Sequence, residues 1–119
     1  MLIKRLGECR EIIANDGCRL RELLHPEHDR AAVPYSLAIA WVDPGTATHP
    51  HQLAQTEVYY LIRGSGLMHI GDETRAVGPG DTVVIPPHQP QWIENRGSEV
   101  LEFAALVSPP WRAEDDRRV

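Results

Sequence analysis

The residues of this chain best suited to chemistry gather in two short stretches. The first, PGTATHPHQLAQTEVYYLIRG (44–64), holds His49 and His51 one residue apart and Glu57 at the head of an apolar run. Two imidazoles and a carboxylate so close together are the donor types that bind a divalent transition metal or move a proton near neutral pH. The second, GDTVVIPPHQPQWIEN (80–95), adds His88 and Gln91 behind a pair of prolines. If the first stretch is extended, His49 and His51 have the same parity and face one way. Along the run that follows, Glu57, Tyr59 and Leu61 share one face, and Val58, Tyr60 and Ile62 the other. Both faces are largely apolar, so Glu57 is expected to point inward, where a carboxylate needs a cation or a histidine as partner.

The elements that must position these groups are short. YSLAIAWV (35–42), EVYYLI (57–62), LMHI (67–70), TRAV (74–77), TVVI (82–85), QWIEN (91–95) and VLEFAALV (100–107) are runs of strand length. Each is closed by Gly, Pro, Asp or Ser punctuation, such as Asp43-Pro44-Gly45, Gly78-Pro79-Gly80 and Ser108-Pro109-Pro110. Before them, Asn15-Asp16-Gly17 reads as a turn and CRLRELLH as a further strand stopped by Pro26. Gly7 to Ala14 reads as one helical turn or irregular chain. The tail, WRAEDDRRV, reads as a solvated charge run from which Trp111 alone packs back. Seven or eight closely spaced strands without intervening long helices predict an all-β sandwich or barrel.

The two stretches together resemble the two motifs of the cupin family, in its conserved-barrel form and with a degenerate metal motif. The first is written G-x(5)-H-x-H-x(3,4)-E-x(6)-G and the second G-x(5)-P-x-G-x(2)-H-x(3)-N. Counting from Gly45, five residues lead to His51, three beyond position 53 lead to Glu57, and six more lead to Gly64. In that frame Leu53 stands where the second histidine belongs. Reading His49-Pro50-His51 as the pair instead leaves five residues before Glu57 and puts Gly45 out of register. In the second stretch Gly80, Pro86 and Asn95 match, His88 stands in the place of a glycine, and Gln91 takes the place of the last histidine.

The resemblance implies a small antiparallel jelly-roll β-barrel. It covers residues 45–95 and suits one domain over 1–119, with 1–34 an N-terminal arm or strand, 35–107 the barrel and 108–119 a tail. It also implies a divalent metal (manganese, iron or zinc) held by His51, Glu57 and Gln91, with His49 able to swing in. Glu57, or His88 or His49 nearby, would handle protons. An amide oxygen is a weaker donor than imidazole, so such a site would hold its ion less tightly than a three-histidine one. The expected ligand is a small polar molecule, a sugar derivative or carboxylate, and the expected reaction an isomerisation or lyase step. The alternative is a barrel with weak or no metal that binds a small molecule without turning it over. Exposed strand edges, and the family, imply a homodimer.

Composition narrows the field. A net charge of −5 and a pI near 5.6 argue against a nucleic-acid surface. No segment reaches membrane-spanning length and no signal peptide opens the chain, so the expected compartment is the cytoplasm. Cys9 and Cys18 match no zinc spacing and are expected to pack as small apolar side chains. No serine or cysteine triad and no phosphate-cradling loop stands out.

Overall fold

A computed structural model describes all 119 residues. Eleven strands follow in order: β1 (Glu11–Ile13), β2 (Arg19–Leu24), β3 (Ser36–Val42), β4 (His51–Leu53), β5 (Thr56–Arg63), β6 (Gly66–Ile70), β7 (Glu73–Val77), β8 (Thr82–Ile85), β9 (Gln91–Glu94), β10 (Leu101–Ser108) and β11 (Asp116–Arg118). They form a six-stranded sheet, β1-β2-β3-β10-β5-β8, and a five-stranded sheet, β11-β4-β9-β6-β7. Every pairing is antiparallel. The architecture is the all-β jelly roll expected, and no helix is long and apolar enough to cross a membrane.

Three strands go beyond the sequence expectation. Glu11–Ile13 is a strand, after a single 3-10 turn at Leu6–Glu8. The tail is mostly exposed but ordered: a 3-10 turn at Ala113–Asp115 leads into β11, which pairs with β4 in the register Asp116↔Leu53 and Arg118↔His51, and Asp115 and Asp116 as well as Trp111 are half-buried. The third, β4 itself, is three residues long. These strands lack alternating apolar residues because each borrows its stability from the sheet it joins.

Strand parity builds the interior in layers. Along β10, Leu101, Phe103, Ala105 and Val107 are buried and alternate with half-buried residues. Opposite them on β3 and β5 stand Val42; then Ala40 and Leu61; then Ala38 and Tyr59; and finally Ser36 and Glu57. One end is filled with large apolar groups, Phe103 and Leu61 among them. At the other end the facing residues shrink to Ala38, Ala105 and Ser36, which leaves room between the sheets. Cys18 sits in the apolar core, where burial pushes its thiol well above the ordinary range and makes it a packing group.

The motif residues outside the cavity are structural. Gly64 has φ +77, and an added Cβ would come 2.6 Å from the Val100 carbonyl oxygen, so only glycine fits. Asn95, 1% exposed, donates to the carbonyls of Val42 and Glu99 and accepts from Gly97 N–H. His88, in the glycine place, takes the left-handed φ of 64°. Relief of that strain should make His88→Gly more stable by up to about 1 kcal/mol, net of the added unfolded-state entropy. A thermal midpoint that falls on this substitution would show that the imidazole holds the loop.

Candidate functional site

The room left at the small-residue end is a cavity of about 280 Å³, lined by strands of both sheets and by the C-terminal segment. His51, Leu53 and Glu57 all line it, as do Asp16, Trp111 and Asp116. Glu57 faces inward as its parity requires, and is 7% exposed. Gln91 lies directly across from His51 on β9 and is fully buried.

A line of hydrogen bonds orders these groups. The Tyr59 hydroxyl donates to Gln91 Oε1 at 3.1 Å, and Gln91 Nε2 donates to Glu57 Oε1 at 2.9 Å. His51 Nδ1 donates to the His49 carbonyl oxygen at 2.9 Å, which turns Nε2 toward the cavity. Asp16 Oδ2 is 3.8 Å from that nitrogen, outside hydrogen-bond reach, while Oδ1 accepts from Cys18 N–H at 3.1 Å. Three polar atoms on buried residues therefore face the cavity without a hydrogen-bond partner: His51 Nε2, Glu57 Oε2 and Asp16 Oδ2. Burial pushes the Glu57 carboxyl up to about 8, and the negative charges of Asp16 and Asp116 add to the rise against the Gln91 hydrogen bond. Glu57 is therefore mostly a neutral acid at neutral pH.

Of the residues singled out from the motifs, His51, Glu57 and Gln91 come together, while His49 and His88 stay apart from the cavity. His49 is exposed, its ring against Gly17, and its N–H donates to the Asp16 carbonyl. His88 is exposed in its loop, tied to Leu53 by a backbone bond of 2.7 Å. Asp16 and Asp116 escaped the sequence reading: one was hidden in an Asn-Asp-Gly turn, the other in the charged tail.

The divalent ion that the resemblance implied can be set against these donors. His51 Nε2, Glu57 Oε2 and Asp16 Oδ2 are free, but Gln91 turns its oxygen to the Tyr59 hydroxyl and its amide N–H to Glu57. Leu53 supplies no donor. A catalytic ion ordinarily keeps three protein ligands, and the free atoms of His51, Glu57 and Asp16 do not all lie within 4.8 Å of one another, so the arrangement as it stands falls short of a ligand set. The one His/Glu group with donor atoms within 4.8 Å of one another is Glu22, His25 and His28, of which only Glu22 lines the cavity. There His25 is already committed at both nitrogens: Nε2 donates to the Trp111 carbonyl at 2.8 Å, and Nδ1 accepts from Glu27 N–H at 3.1 Å. Its evident work is to clamp Trp111 beside the cavity. On the outer face of the second sheet, Thr74, His69 and Glu94 form a hydroxyl–imidazole–carboxylate line, with His69 stacked on Trp92 at 4.3 Å. These are cross-strand neighbours, and they lie away from the cavity.

A cupin-domain family model matches residues 39–108. The chain belongs to the cupin family. It is similar over 105 residues, at 42% identity, to an uncharacterized protein of Methanocaldococcus jannaschii, with 87% of this chain and 82% of that protein covered. It is 30% identical over 66 residues to an oxalate-binding protein of Thermotoga maritima, covering 54% of each. Among solved structures it resembles the polyketide cyclase RemF of Streptomyces resistomycificus, with a TM-score of 0.83 and 22% identity over 100% of this chain and 85% of that one. At that identity the likeness speaks for the cupin fold alone.

Proposed function

We propose that this cupin binds a small organic molecule in its interior cavity and that Glu57 and His51 exchange protons with it. The observation that carries this reading is the pair of unpartnered atoms, Glu57 Oε2 and His51 Nε2, on buried residues that line one cavity. Gln91 and Tyr59 orient Glu57 without touching the ligand. A carboxyl raised to about 8 and an imidazole lining the same cavity suit proton shuttling, as in an isomerisation or a lyase-type elimination. With its free donor atoms not gathered within 4.8 Å of one another, the reading stands without a resident manganese, iron or zinc ion. The same barrel serves a purely binding role if no bond in the ligand changes.

A fragment panel followed by nuclear magnetic resonance tests the site. Hits should shift the signals of Leu53 and the Trp111 indole, and Ala105→Leu, which fills the cavity, should abolish the shifts. Hits that map elsewhere would overturn the assignment. Elemental analysis of untagged protein should find well under one equivalent of manganese, iron or zinc. A full equivalent that His51→Ala removes would overturn the metal-free reading.

We also propose that the partner of the six-stranded sheet is a second copy of this chain. Its outer face carries Tyr60, Ile62 and Val84 at 50%, 41% and 62% exposure, beside the edge strand β8. Burying that face and edge would remove apolar surface from water and protect an open ladder. Light scattering at micromolar concentration should give a dimer mass that Tyr60→Lys with Val84→Lys halves; a monomeric wild type would refute this.

A further inference from the structure

We propose that the ligand has an apolar body and an uncharged or cationic hydrogen-bond-donating end, a hydroxyl or an amine, and that the cavity rejects carboxylates. This rests on the small-molecule reading above and narrows it.

Charge is the first ground. The acidic residues lining the cavity are Asp16, Glu22, Glu57 and Asp116, and no lysine or arginine lines it. An anion entering there would lose its hydration, meet carboxyl groups, and find no positive partner. Asp16 and Asp116 are fastened in place. Asp16 caps Cys18 N–H, while Asp116 accepts from the Asn15 amide at 2.9 Å and from the Trp111 indole at 2.9 Å.

The polar end of the cavity is the second. His51 Nε2 and Asp16 Oδ2 lie 3.8 Å apart, and Glu57 Oε2 shares their cavity without a partner. With Nδ1–H committed to the His49 carbonyl, the Nε2 of a neutral ring offers a lone pair. Asp16 Oδ2 and His51 Nε2 form an accepting pair, while Glu57 Oε2 carries the proton when its carboxyl is neutral and can donate to a hydroxyl oxygen; the accepting pair recognises a donor. A hydroxyl or an ammonium satisfies it, whereas a carboxylate has no proton to give.

The third ground is the rest of the wall. Eleven of the 18 lining residues are hydrophobic. Ile12 and Ile13 on β1 are 42% and 68% exposed and also line the cavity, which makes its rim greasy. A polyhydroxylated molecule would leave most of its hydroxyls facing Leu20, Leu53, Val107 and the alanines. An apolar body with one polar end leaves none unpaired.

The test uses three probes with one ring system: 2-naphthalenemethanol, 2-naphthylmethylamine as its ammonium, and 2-naphthoate. Oxalate serves as a fourth. The alcohol or the ammonium should shift the Leu53 and Trp111 signals with a dissociation constant at least tenfold below that of naphthoate. Asp16→Asn with Asp116→Asn should narrow that gap severalfold. Naphthoate or oxalate binding as tightly as the better of the other two would overturn the inference and leave the small-molecule site standing. If none of the four shifts the cavity signals, the small-molecule reading itself falls.

Discussion

Glu57→Gln should make the protein more resistant to urea at pH 9 and little changed at pH 4. A carboxyl raised from 4.5 to about 8 costs nothing while both folded and unfolded chains keep the proton. Its contribution is therefore fully present below the unfolded value. Between roughly pH 4.5 and 8 the unfolded chain releases its proton and the folded one does not. Stability consequently falls as pH rises through that window and levels off above the folded value. At about 1.4 kcal/mol per unit, the effect is of the order of 3–5 kcal/mol. The amide introduced by the substitution would keep the hydrogen bond from Gln91 while having no proton to lose. Urea midpoints measured at pH 4, 6 and 9 should diverge steadily between wild type and variant. Parallel curves would mean that Glu57 ionises freely in the folded state, through a cation or water that the surrounding residues do not themselves supply.

Leu53→His should create the metal site that wild type falls short of. Strand β4 reads buried, half-buried, buried, so positions 51 and 53 point the same way, and both line the cavity. A second imidazole there would join His51 Nε2 and Glu57 Oε2 as a set of three donors that does not depend on Asp16. Zinc or manganese should bind at least 100-fold more tightly than to wild type, as read by competition with a chelating dye. Without metal the variant should lose about 2–4 kcal/mol, because Leu53 is 3% exposed and its replacement buries a polar ring. Zinc at 100 times its dissociation constant should return about 2.7 kcal/mol. A folded variant whose metal affinity matches wild type would show that positions 53 and 57 cannot reach a common ion.

Both predictions depend on features of unequal visibility in the amino-acid sequence. Strands β3, β5, β6, β7, β8, β9 and β10 were legible because alternation and turn residues act over a few neighbours. The inward turn of Glu57 was expected because both faces of its run are largely apolar, and the frame running from Gly45 to Gly64 came from fitting the spacing to the cupin motif. Read in that frame, the resemblance to the cupin motifs implied that His51, Glu57 and Gln91 converge, and it marked Leu53 as the missing donor.

Other parts of the cavity were beyond local pattern. Asp16 reads as a turn residue and is one, yet its side chain is 7% exposed because His49 and the C-terminal segment fold over it. Asn15 meets Asp116 across 101 residues of sequence, and Gln55 meets Asp115 across 60. Such pairs carry no periodic signal: each partner looks like an ordinary exposed polar residue until the chain closes. The orientation of Gln91 is of the same kind. Its identity was plain in the sequence, but whether its oxygen faced an ion or the Tyr59 hydroxyl was a matter of packing between sheets. Short-range pattern therefore determined the strands and their inward residues, and the cupin resemblance implied the barrel they build. Long-range closure, which buries polar atoms and obliges them to find partners, decided which of those residues remain free to act.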